Sequence, residues 1–185
     1  MNGVLLSRYL YKNRVYYAIS IYIYIASYAC GAFNGAKQEA FFDWNVSAWG
    51  TLLDGVIPML IISVGGLFFV GSIFSWGGLC IMAYRMGAML GACVSTSFGA
   101  VVTFLFFVGI PVGLIYFVCG VSGSANAIEC NVSRLKIRRR GLARPMNNAE
   151  IRGYIGRSML YVGISVIMFV LEYWVFFRAF VNIIN

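Results

Sequence analysis

Between Asp54 and Glu129 the chain carries a single charged residue, Arg85. So long an uncharged run cannot be covered inside a soluble domain when 61% of all 185 residues are hydrophobic and only 11% charged. The sequence therefore reads as an all-α, polytopic membrane protein, because an apolar stretch of about 20 residues is the length at which a helix crosses the roughly 30 Å hydrocarbon layer. Five spanning helices are expected, at about residues 15–35, 52–74, 79–95, 100–121 and 154–184, in one transmembrane domain covering residues 1–185.

Charge outside these runs orients them. Arg8, Lys12 and Arg14 precede the first helix. Arg134, Lys136, Arg138, Arg139 and Arg140 follow the fourth, inside a basic segment expected over residues 122–153. Cations concentrate on the cytoplasmic side of membrane proteins, so both groups predict a cytoplasmic amino terminus, and five crossings then put the carboxyl terminus outside. The net charge of +8 is thus assigned to the inner leaflet or to a protein partner rather than to nucleic acid, for which no motif is present. Within that segment "NAIECNVSRLKI" fits either a short interfacial helix or a plain continuation of the fourth helix.

Little in the composition supplies enzymatic chemistry. Histidine is absent and the six acidic residues are scattered, which removes the usual general base, the commonest metal ligand and any dense carboxylate site. No phosphate loop, nucleophile motif or metal-spaced cysteine set is present, so no enzyme, metal or cofactor is expected. The five cysteines form no disulfide framework, and Cys130 is expected to face the cytosol.

Two features remain as candidates for function. The first is the intramembrane charge of Arg85, about 13 Å deep if its helix starts near Trp76 after a tight "SWGG" turn, which requires shelter by protein or a wet cavity. Its natural counter-charge is Glu172, the acid nearest the middle of another helix, so a buried Arg85–Glu172 pair is expected. The second is a small-residue ridge on the same helix, Ala83, Gly87, Gly91 and Ser95, which lets another helix approach closely. Gly109 and Gly113 on the fourth helix offer a matching surface. Pro58 and Pro111 are expected to kink their helices.

The amino-terminal "YKNRVYYAISIYIYIASYACGAFNGA", the central "YRMGAMLGACVS", the basic "SRLKIRRR" and the final "LEYWVFFRAFVNII" together resemble the stage II sporulation protein M family. The short loop after the first helix and the partial match of "FFVGIPVGLIY" depart from that pattern. The resemblance implies a non-catalytic scaffold of the bacterial cytoplasmic membrane that recruits peptidoglycan-cutting partners during sporulation. The residues alone support a membrane-embedded assembly subunit of a protein complex. They also leave open the membrane subunit of an ABC-type transporter or exporter, docked to an ATPase through its basic segment.

Overall fold

The computed structural model describes the backbone of residues 3–37, 55–68, 71–139 and 148–176, and the side chains of residues 14–37, 55–68, 71–132 and 151–174. Arg140, the aromatic loop after the first helix and the last part of the fifth expected span lie outside the described residues. The helices are α1 (Gly3–Lys37), α2 (Val56–Gly65), α3 (Gly71–Thr96), α4 (Phe98–Phe104), α5 (Leu114–Arg139) and α6 (Asn148–Leu171). A π-helical segment, Leu105–Gly113, joins α4 to α5 without a break, and α6 runs on into a π-helical turn, Glu172–Phe176. Among the described residues there is no strand. Four segments are long and apolar enough to cross a bilayer, Arg14–Lys37, Gly71–Thr96, Phe98–Val132 and Ile151–Trp174, which makes the chain an all-α multi-pass membrane protein.

The expected span over residues 52–74 is corrected. Its helix is α2 alone, ten residues long. At 1.5 Å per residue that covers about 15 Å, half the hydrocarbon thickness. Gly55 opens α2, with the Met59 N–H donating to the Gly55 carbonyl at 3.0 Å, and Pro58 sits in the first turn, where its missing N–H costs nothing. Gly65 and Gly66 end it. The chain then folds back so tightly that a Cβ on Gly71 would fall on the Gly65 carbonyl.

The expected "SWGG" turn is not a turn either, because Ser75 to Gly78 lie inside α3. Gly78 serves close approach instead: a Cβ there would stand 2.7 Å from the Pro58 carbonyl oxygen on α2. The sharp reversal comes later, at Ser97, whose hydroxyl caps α4 by accepting from the Ala100 N–H at 3.1 Å. Pro111 does not kink the helix into two pieces. The wider π turns around it absorb the lost hydrogen bond and ring clash, and the Leu114 N–H resumes bonding at the Ile110 carbonyl.

α1 and α3 run parallel. Cβ atoms built on Gly31 and Gly35 would meet the backbone of Tyr84 and Ala88, and those on Gly87 and Gly91 would meet Tyr28, Ala32 and Ala36, so both numberings rise together along the seam. α5 runs against α1, with Ser20 beside Ser124 and Tyr24 edge-on to Phe117. The core between them holds Met59, Ile62, Leu79, Met82, Met86, Phe104, Val108, Val112 and Tyr116, all essentially free of solvent contact.

The glycine seam gives a paired expectation. Gly87→Ile or Gly31→Ile places a branched side chain onto a facing carbonyl, and overpacking of this kind costs about 3 kcal/mol or more. Thermal unfolding in detergent should show a clear fall in Tm for either variant. Gly156→Ala and Gly163→Ala, where a Cβ meets nothing within 4 Å, should hold or raise Tm, since alanine gains about 0.5–1 kcal/mol over glycine in a helix.

Candidate functional site

α5 touches α1, α2, α3 and α6. From Cys119 to Asn131 only Ser122 and Glu129 are more than buried-class exposed, so this stretch is surrounded by its neighbours. Small residues make that possible. Gly120 lies under Leu79 and Met82, and Gly123 under Met59 and Ile62, so α3 and α2 approach the α5 backbone directly. The segment expected to follow the fourth helix from residue 122 instead continues that helix as far as Arg139, the plain continuation that the sequence left open, and in "SGSANAIECN" most residues, Cys130 included, are covered by neighbouring helices. The stretch looked aqueous because serine and asparagine lower its hydropathy, yet these side chains face protein. Ser20 Oγ donates to Ser124 Oγ at 3.2 Å. Tyr17 and Tyr161 gather around Ser122, with Glu129 and Arg157 within electrostatic reach of Tyr17.

At the end of this polar stretch, α5 and α6 hold the α2–α3 turn. The Asn131 amide, oriented by its surroundings, donates to the carbonyls of Gly66 (3.2 Å) and Phe68 (2.7 Å) and accepts from the Ser72 N–H (2.9 Å). Tyr154 Oη donates to the Ser63 carbonyl at 2.6 Å, and Ser75 Oγ to the Ile62 carbonyl at 3.2 Å. The carbonyls freed where α2 stops are thus met by side chains from three other helices.

The other end of α2 lies about half way along α3, and it is there that Glu172 is found. Its side chain is 0% exposed, and Oε2 accepts from Tyr116 Oη at 3.0 Å. The Tyr116 ring occupies the space a side chain at Gly55 would need, which places the start of α2 beside the tyrosine–glutamate pair.

The surroundings of Arg85 differ from those of Glu172. With α3 starting at Gly71, Arg85 lies about 21 Å along the helix rather than 13 Å. It is half-buried and lines a cleft of about 410 Å³ with Ala26, Ser27, Cys30, Cys80, Ile81 and Tyr84, on the α1 side of α3. The last helix packs on α2 and α5 instead. Arg85 lines its cleft on the α1 side of α3, whereas Glu172 bonds Tyr116 beside the start of α2.

The small-residue ridge also finds another partner. Gly87 and Gly91 pack on α1, Ala83 joins the core, and Ser95 is exposed with its hydroxyl returned to the Ala92 carbonyl at 2.9 Å. A Cβ on Gly109 would lie nearest to Leu105 and Phe104 of its own helix, and one on Gly113 would, among the described residues, reach the Val108 carbonyl at 4.0 Å. Both border a second cleft, of about 350 Å³, with Tyr24, Tyr28, Met86 and Phe117. The partner was signalled by "GAFNG" in α1, two glycines four apart, which the aromatic character of that helix obscured. Arg134, Lys136, Arg138 and Arg139 lie on the last turns of α5.

Among the described residues no group of three or more histidine, cysteine, aspartate or glutamate side chains could hold a metal ion, and the cysteines are free thiols. Comparison with known proteins finds no matching family model, no matching curated protein and no matching solved structure.

Removing one hydroxyl tests the central pair. Tyr116→Phe leaves a buried carboxyl without that donor and should cost about 1–3 kcal/mol, read as a lower Tm in detergent. Tyr154→Phe, which leaves the Ser63 carbonyl unmet, should fall in the same range, whereas Tyr22→Phe on the exposed side of α1 should leave Tm unchanged.

Proposed function

We propose that this chain is a non-catalytic assembly subunit of a bacterial cytoplasmic membrane, acting by presenting helix surfaces to other membrane or membrane-associated proteins. The observation that carries this reading is the closed interior. Met59, Ile62, Leu79, Met82, Met86, Val108 and Val112 fill the centre of the bundle with no exposed surface. The clefts beside Arg85 and beside Gly109 are bordered by outward-facing residues, including Tyr84, Ile81 and Leu114, so the available recesses open sideways toward neighbours in the membrane. Packing of this kind suits a scaffold better than a path for solutes.

Charge supports the orientation. The start of α1 and the end of α5 lie at one end of the bundle, as the antiparallel contacts Ser20–Ser124 and Tyr24–Phe117 require, and both carry cations there. Cytoplasmic placement of that end follows the usual asymmetry of lysine and arginine. The resemblance to the stage II sporulation protein M family extends the reading to recruitment of cell-wall hydrolases during sporulation. A second reading, the membrane subunit of an ABC-type transporter, draws on the same end: the last turns of α5 and the first of α6 stand together where a soluble ATPase could dock.

Purification of the tagged chain from its native membrane in mild detergent, followed by mass spectrometry, tests these readings. Stoichiometric retention of a cell-wall hydrolase supports the scaffold. Retention of an ATPase moves the assignment to transport, and a chain that remains a partner-free monomer overturns both.

A further inference from the structure

The two sides of α5 differ in chemistry. Toward α2 and α3 it meets Met59, Ile62, Leu79 and Met82, all without exposed surface. Toward α6 the contact is polar. The covered stripe of α6 recurs every three or four residues as Tyr154, Ser158, Tyr161, Ser165, Met168 and Glu172, while Met159, Leu160 and Ile167 point outward. A helix bordering lipid turns its apolar side out, which accounts for the sorting and leaves the hydroxyls of the inner stripe to find partners within the protein.

Register sets the polar residues of α5 against that stripe. The two helices are antiparallel: Tyr116 meets Glu172, Ser122 meets Tyr161, and Ala127 and Cys130 pack on Tyr154. Tyr17 of α1 reaches Ser122 as well. Asn126, one turn beyond Ser122 on the same face, therefore falls opposite Ser158. Its side chain is 2% exposed, and among the described residues neither its amide nitrogen nor its oxygen has a hydrogen-bond partner. Ser165, one turn from Tyr161 in the other direction, is 0% exposed, and its Oγ is in the same condition.

Leaving a buried amide or hydroxyl unmet costs about 1–3 kcal/mol for each group, and here two such groups share one seam. What relieves both must donate and accept, carry no charge and fit between packed helices. Water does so, and buried waters commonly make about three hydrogen bonds to groups that nothing else satisfies. Side chains one turn apart stand about 6 Å apart along the axis, the length that one water spans with two hydrogen bonds of about 2.8 Å.

We infer that the α5–α6 seam is a binding site for internal water, in which Asn126 and Ser165 anchor a short file running past Ser122 and Tyr161. Its opening lies beside Arg157, whose side chain is exposed and within electrostatic reach of both Tyr17 and Tyr161. The site stands independently of the assembly role and adds no passage for larger solutes. It joins α6 to α5 through water where α2 and α3 join α5 through dry packing.

The test is hydroxyl-radical labelling of the full chain in mild detergent, with radicals made by an X-ray pulse from the water beside each residue and read by peptide mass spectrometry. Cys119 lies near Tyr161, and Met168 follows Ser165 on the inner stripe; both are 5% exposed or less. Cys93, Met59 and Met82 are the matched controls, buried away from the seam. Oxidation of Cys119 and Met168 should exceed that of the controls by about fivefold or more, because bound water delivers the radical to a covered side chain. In an Asn126→Leu, Ser165→Ala variant, whose seam is apolar and stays dry, the excess should fall by at least about half. Equal labelling of the two sets in the unaltered chain overturns the inference, as does an undiminished excess in the folded variant. The unaltered chain decides the matter if the variant fails to fold.

Discussion

Inside a bilayer no water is available to a carbonyl or an amide, and each irregularity in this chain is shaped by that shortage. α2 begins about half way along α3 and ends where α3 begins, in a tight turn packed against α5 and α6, so its last carbonyls and the turn after it need partners from elsewhere in the protein. Asn131, Tyr154 and Ser75 supply them. Near Pro111 the same requirement is met differently, by widening the helix rather than by breaking it. An asparagine at the interior end of α5 is thus less a concession to water than the condition for ending α2 where it does.

Close approach is the second constraint. With little hydrophobic drive between helices in lipid, association depends on dispersion contact and on hydrogen bonds, both of which need short distances. Gly31 and Gly35 on α1 against Gly87 and Gly91 on α3 remove four side chains from one seam, and Asn34 donates to Tyr84 across it at 3.2 Å. Gly120 and Gly123 do the same for α5 against α3 and α2. Because α1 and α3 are parallel, the chain between them must come back across the bundle, and α2 is the described part of that return.

Polar groups are consequently sorted by role. Hydroxyls, amides and the Glu172 carboxyl lie between helices, where they fix which surfaces meet, while most of the chain's lysines and arginines belong to the start of α1, the end of α5 and the start of α6. Arg85 stands apart, lining its cleft on the α1 side of α3.

Hydropathy read along the chain measures transfer of a segment from water to oil, which is a property of the segment alone. It was enough to determine the all-α membrane class, the long spans, the collected cations and the oddity of Arg85. Residues 122–131 were read as lying beyond the fourth span because serine, asparagine and glycine cost a segment hydropathy whether they meet water or another helix, and only the assembled bundle shows that neighbouring helices cover them. Glycine four apart in "GAFNG" and "GAMLG" promised close contact without saying with whom. The pairing of α1 with α3, the half-length α2 and the Tyr116–Glu172 contact were decided by tertiary structure, since each depends on which backbone is brought against a missing Cβ or an unmet carbonyl, and no single segment contains that information.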